Sequence, residues 1–137
     1  MSFQLTFDHR LNYDAGQSGI TLDATLRLGR DEVACETKVD TGSTFSIFAR
    51  KVGEDLGLKI EDGLKRLVST VTGPFVVYLH EVTLSVSGLE LDALVGFAED
   101  ESFQRNVLGR RGFLDQTVMG LVDYEGQLYL SPYNAGD

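Results

Sequence analysis

The strongest constraint in this sequence is a clean alternation of apolar and polar residues that runs up to a single carboxylate. From Ile20, apolar side chains recur at Leu22, Ala24, Leu26 and Leu28, while Thr21, Asp23, Thr25 and Arg27 take the other side. After Gly29-Arg30-Asp31 the pattern returns through Val33, Cys35, Thr37 and Val39, with Glu36 and Lys38 opposite. Such a period belongs to strands with one face in a core, and two runs about a glycine turn predict a hairpin. The hairpin ends at Val39-Asp40-Thr41-Gly42-Ser43. Asp40 is thereby delivered to the mouth of a strand pair, where a side chain is held more rigidly than on a long loop. Gly42 permits a tight turn and a close approach by another chain. Thr41 and Ser43 supply short donors able to fix the carboxylate, and the apolar residues before it are expected to withdraw it partly from water. Asp-x-Gly also opens ordinary turns by bonding its own backbone, so the motif acquires meaning only from its context.

The rest of the chain reads as mainly strands. Phe3, Leu5 and Phe7 alternate as a half-buried strand, and Asp8 to Gly19 reads as loop. Ser46 is expected to open a helix with Phe48, Val52 and Leu56 on one face, closed by Gly57 with Leu58 as its apolar contact. Gly53 within it costs about 1 kcal/mol against alanine. Leu67 to Val71 and Phe75 to Val86 flank Thr72-Gly73-Pro74, a hairpin signal, and Leu89, Leu91, Ala93 and Val95 alternate after Ser87-Gly88. An acidic loop is expected over Phe97 to Ser102, then a short buried strand at Val107-Leu108. Val118, Gly120 and Val122, and then Leu128 and Leu130, form strands around Asp123-Tyr124-Glu125-Gly126, and the tail Asn134 to Asp137 is expected to fray.

Length and charge bound the function. A chain of 137 residues with 42% hydrophobic side chains builds one domain, residues 1–137, with a core of its own. The one cysteine, Cys35, has no intramolecular partner and sits in an alternating strand, as a small buried hydrophobe rather than a nucleophile. His9 and His80 stand far apart, as surface or rim residues, so no metal and no cofactor is expected. The net charge of −9 argues against nucleic acid and, weakly, for neutral or basic peptide partners. Met1 to Arg10 lacks a basic region before an apolar core and no apolar run reaches membrane-span length, so a cytoplasmic protein without membrane partners is expected.

Late in the chain stands Asn106-Val107-Leu108-Gly109-Arg110, followed by Arg111-Gly112-Phe113-Leu114-Asp115. With Asp40-Thr41-Gly42 upstream, the sequence resembles the retropepsin-like aspartic proteases. In these, Asp-Thr/Ser-Gly is followed some tens of residues later by two apolar residues and Gly, then Arg or Asn and a short helix. The resemblance covers about Ile20 to Leu130. It implies an all-β fold with one or two short helices, a closed acid-protease barrel or sandwich with one lobe per chain. It implies that Asp40 is catalytic, with Thr41, Gly42 and Ser43 supporting it. It makes Val71, Thr72, Gly73, Pro74 and Phe75 a flap over the substrate. It makes Val107, Leu108, Gly109 and Arg110 a packing motif behind the active loop. Cellular members often carry a helix ending in Leu-Gly-Leu, as at Leu56-Gly57-Leu58 here. Two departures stand out. Retroviral flap tips are glycine-rich, whereas Pro74 has no N–H to offer. The matching Arg of retroviral members pairs with an acid four residues after the catalytic Asp, and that position is Thr44 here, which leaves Arg110 without an identified partner.

The same resemblance implies a dimer. Aspartic proteases are the known case of two carboxylates sharing one proton, and this chain has one motif and no internal repeat, since Asp23-Ala24-Thr25 lacks the glycine. Two copies of Asp40 must then meet on a twofold axis, across which the residue matching Thr41 bonds in the family. The expected function is a homodimeric aspartic endopeptidase acting on extended peptides. The alternative is a dimerising, peptide-binding module of the same fold that does not cut. A phosphoryl-transfer Asp fits poorly, because no Gly-rich phosphate loop accompanies it.

Overall fold

A computed structural model describes residues 1–134. The alternating runs pair as predicted, β2 (Ile20–Leu28) antiparallel to β3 (Asp31–Val39), in register from Ile20 opposite Val39 to Leu28 opposite Asp31. Gly29 takes the positive φ, 61°, that so tight a turn requires. Leu22, Ala24 and Leu26 are buried, as is Thr37, whose hydroxyl donates to the Leu22 carbonyl at 2.8 Å and so satisfies the one polar intrusion on that face.

The longest strand, β6 (Gly73–Val86), organises the remainder. It lies antiparallel between β5 (Leu64–Thr70) and β7 (Leu89–Ala98). The β6–β7 turn places Ser87 and Gly88 both at positive φ, 50° and 83°, the twist that matches a right-handed strand pair. Two short strands, β4 (Ile47–Phe48) and β8 (Val107–Leu108), complete a seven-stranded sheet ordered β2-β3-β8-β4-β7-β6-β5. Thr25, Leu26 and Arg27 of β2 pair again with Ser85, Leu84 and Thr83 of β6. This second pairing closes every strand except β5 into a barrel, which removes the open edges. Leu26, Phe48, Leu84, Val95, Phe97 and Leu108 fill its interior. A second sheet, ordered β1-β10-β9, joins β1 (His9–Asn12), β10 (Gln127–Pro132) and β9 (Thr117–Val122), and Leu128 and Leu130 share the same core. The all-β expectation holds. The one α-helix, α1 (Arg50–Asp55), closes at Gly57, φ 83°, with Leu58 N–H donating to Gly53 O and Gly57 N–H to Glu54 O.

Several local expectations do not hold. Residues 1–7 carry no regular secondary structure; Phe3 and Leu5 are exposed, and Phe7 lies against Gly120 and 5.7 Å from the Tyr129 ring. The strand at this end is β1, inside the segment read as loop, where Leu11 alone packs on the core and too few alternations exist to see. Ser46 does not open a helix: Ile47-Phe48 is strand, and the helix begins after Ala49 with no side-chain cap. A short apolar run has no period of its own, so either element suits it. Phe97 is not loop but buried strand, and the turn starts only at Glu99. The tip of the β5–β6 hairpin is Val71-Thr72, while Gly73 and Pro74 already lie in β6 opposite Thr70 and Ser69. His80 is half-buried, with Nε2 2.8 Å from the Ile60 carbonyl and its ring edge-on to Phe97. Of the expected frayed tail, residues 135–137 lie outside the described residues. No helix among the described residues is long and apolar enough to cross a membrane.

Candidate active site

Asp40 follows the last residue of β3, where that strand runs parallel to β8 through Lys38/Val107 and Val39/Leu108. Its N–H donates to Leu108 O at 2.9 Å, which fixes the main chain at the exit of the strand. The chain then turns: Ser43 N–H donates to Asp40 O at 3.1 Å, and Gly42 N–H donates to Asp40 Oδ1 at 2.9 Å. The carboxylate is exposed and aimed by one backbone donor, leaving Oδ2 without a protein donor among the described residues. The Thr41 hydroxyl has no partner among the described residues either, and Ser43 Oγ donates to Phe45 O rather than to Asp40.

Behind this loop passes the segment 108–111. Arg110 N–H donates to Ser43 O at 2.9 Å, Arg111 N–H to Thr44 O at 2.8 Å, and Ser46 N–H to Arg111 O at 2.9 Å. So close a crossing needs glycine: a Cβ at Gly109 would stand 2.3 Å from Phe45 O and 2.8 Å from Ser43 O. Ser46, fully buried, accepts the Gly109 N–H on Oγ at 3.0 Å. Asn106 ties the other side, accepting from Ala49 N–H at 3.0 Å and donating to Glu36 O at 3.2 Å. The structure thus brings Val107, Leu108 and Gly109 directly behind Asp40-Thr41-Gly42-Ser43.

Between this loop and the β5–β6 hairpin lies a cavity of about 450 Å³, lined by Asp40, Gly42, Phe45, Leu67, Phe75 and Arg105 among others. The hairpin reaches it by packing Val68 and Phe75 against a small apolar cluster of Ile47, Val77 and Leu79, and Phe75 stacks on Phe103 at 5.2 Å. Of the expected flap residues only Phe75 lines the cavity; Val71 is fully exposed at the tip, and Thr72, Gly73 and Pro74 do not line it. Pro74 precedes Val77, where β6 takes up β7, so one side of it has no ladder to serve. Arg110 faces elsewhere, lining a separate cavity with Thr41, Thr44, Arg111, Leu114 and Asp115, and it forms no ion pair among the described residues.

Ser46, Phe103, Arg105 and Asn106 were not assigned to the site from sequence. Ser46 and Asn106 act through backbone contacts that no local pattern announces, and Arg105 precedes the readable motif. Burial pushes the Cys35 thiol up to about 11, with Asp23 adding to the shift, which keeps it protonated at neutral pH. No cluster of three His, Cys, Asp or Glu side chains suited to a metal occurs among the described residues.

No curated protein matches the chain. A family model described as aspartyl protease matches residues 14–111, a span that begins before β2 and includes both Asp40-Thr41-Gly42-Ser43 and the Val107 to Arg110 segment packed behind it. The Asp40 loop, the glycine crossing behind it and most of the lining of the cavity it faces fall within that match, and the chain belongs to the aspartyl protease family.

Proposed function

We propose that the chain is an aspartic endopeptidase that acts as a homodimer, with two copies of Asp40 meeting on the twofold axis. The supporting observation is the state of the single Asp40: exposed, oriented through Oδ1 by Gly42 N–H, and incomplete, with Oδ2 and the neighbouring Thr41 hydroxyl unpartnered among the described residues. Like charges brought close split their titration, so one carboxylate is ionised while the other holds a proton. The ionised one takes a proton from water, whose oxygen attacks the scissile carbonyl. The protonated one gives its proton to the carbonyl oxygen, and the resulting diol collapses as the first carboxyl passes its proton to the departing amine and the second takes one back from a diol hydroxyl. Apolar walls at Phe45, Leu67 and Phe75, and the free edge of β5, suit an extended peptide added as a strand.

The test is a digest of a diverse peptide library read by mass spectrometry, run beside a solution mass measurement. Cleavage by a dimeric wild type and none by Asp40→Asn is the expected result; cleavage by Asp40→Asn, or by a form that stays monomeric, removes the mechanism. The alternative is a peptide-binding dimer of the same fold that does not cut. A dimer that cleaves nothing in the digest but binds fluorescent versions of the same peptides would establish that alternative instead.

A further inference from the structure

The cavity beside Asp40 holds one cation. Asp40 and Arg105 are the ionisable side chains in its lining, and Arg105 forms no ion pair with any described residue. Its guanidinium sits over the Phe103 ring, 5.5 Å from the centroid, and Phe103 in turn stacks on Phe75 with 20° between the planes. A guanidinium resting on a ring keeps its in-plane N–H donors for another partner, in a fork that matches a carboxylate. The main chain beside it is fixed, because Asn106 binds Lys38 N–H, Ala49 N–H and Glu36 O. The ring contact and this fixed main chain together lower the cost of ordering the exposed side chain on a ligand.

Resting on the peptidase reading above, we propose that Arg105 is a specificity-determining residue that receives a carboxylate of the bound peptide, so that the cleft selects acidic ligands close to the scissile bond. The carboxylate belongs either to an Asp or Glu side chain or to the peptide's own C-terminus. The net charge of −9 opposes acidic peptides at a distance. That field is screened beyond about 8 Å at physiological salt, whereas contact with an unpaired guanidinium is not. In a twofold dimer Arg105 occurs on both sides of the cut, so an acidic residue is favoured on either side.

The experiment uses octapeptide pools, degenerate except for one scanned position holding Glu, Gln or Lys, each pool made with a free and an amidated C-terminus. Wild type is expected to show kcat/KM on the order of tenfold higher for Glu than for Gln at one or more positions. Arg105→Ala should bring that ratio to about one, and Arg105→Glu should turn it toward Lys. Should discrimination follow amidation instead, with the same dependence on Arg105, the carboxylate read is the C-terminus. A ratio near one for both carboxylate sources in wild type, or a preference that survives Arg105→Ala, overturns the assignment. Fluorescent versions of the same pools titrated onto Asp40→Asn, with and without Arg105→Ala, separate the two levels of inference. An acid preference in binding that vanishes with Arg105→Ala sustains the role of Arg105 even if wild type cuts nothing, which would refute only the peptidase. Binding without acid preference refutes Arg105 alone.

Discussion

At Gly109 the room for one methyl group decides whether the Asp40 loop can close over the segment behind it. Its added Cβ would meet two backbone carbonyls, of Phe45 and Ser43, and neither can swing aside as a side chain would. Gly109→Ala is therefore expected to cost about 3 kcal/mol through overpacking. A urea midpoint equal to that of wild type would show that the loop relaxes around it. Ser46 acts at the same crossing from the other side. Ser46→Ala strands the buried Gly109 N–H that Oγ now accepts, at an expected cost of ~1–3 kcal/mol. Ser46→Thr keeps the acceptor and is expected to recover part of that loss in the same denaturation series, which an effect of volume alone would not produce. Sequence placed Asp40 at the end of a strand pair through the alternation before it, and the family resemblance placed Gly109 behind that loop. It did not disclose Ser46, whose partner lies far along the chain, nor Asn106, whose side chain joins backbone groups of β3 and of Ala49.

Helix α1 is held by a side chain that its own local rules disfavour. Arg50 opens the first turn, where a cation opposes the helix dipole, and neither an acidic first-turn residue nor a side-chain cap offsets it. Arg50 instead reaches out, donating to Glu54 at 3.2 Å, to the Glu99 carbonyl at 3.1 Å beyond the end of β7, and to both oxygens of Glu61 in the turn that follows. The hydrogen bond from Arg50, aided by its charge, holds the Glu61 carboxyl below the usual carboxylate range. A depressed folded-state pKa contributes stability that is present above the unfolded pKa and lost as pH falls through the folded one. Melting temperature should thus fall more steeply below about pH 4.5 in wild type than in Glu61→Gln. Parallel acid limbs in the two proteins would exclude this contact as a source of acid lability. The same region marks the limit of periodicity as a guide. The long alternations of β2, β3 and β7 were readable because each buries one face of a strand. Ile47-Phe48 was not, because its pairing with β7 and β8 supplies the strand identity that so short a run lacks.

The barrel closes through β2 and β6, a pairing between Thr25–Arg27 and Thr83–Ser85 that no turn signal links, so closure itself could not be read from sequence while its component hairpins could. What the closed barrel leaves open is the Asp40 loop, with a hydroxyl and a carboxylate oxygen that find nothing to bond among the described residues. In the proposed homodimer these groups meet their own copies, and each active site belongs to two chains at once. That sharing gives a stoichiometric prediction which a one-chain enzyme cannot imitate. Asp40→Asn is expected to keep the fold and the proposed interface, so when equal amounts of wild type and Asp40→Asn exchange subunits, roughly a quarter of the dimers should retain two carboxylates. Peptide cleavage should then fall to about half of what the same wild-type chains give alone, on the time course of subunit exchange. It should fall further with excess variant, and dilution of wild type should lower activity per chain as dimers dissociate. Association between two chains of charge −9 is also expected to tighten with added salt, since screening weakens their mutual repulsion. Activity that stays constant through both the mixing and the dilution series would place a complete catalytic site in one subunit and end the two-carboxylate scheme.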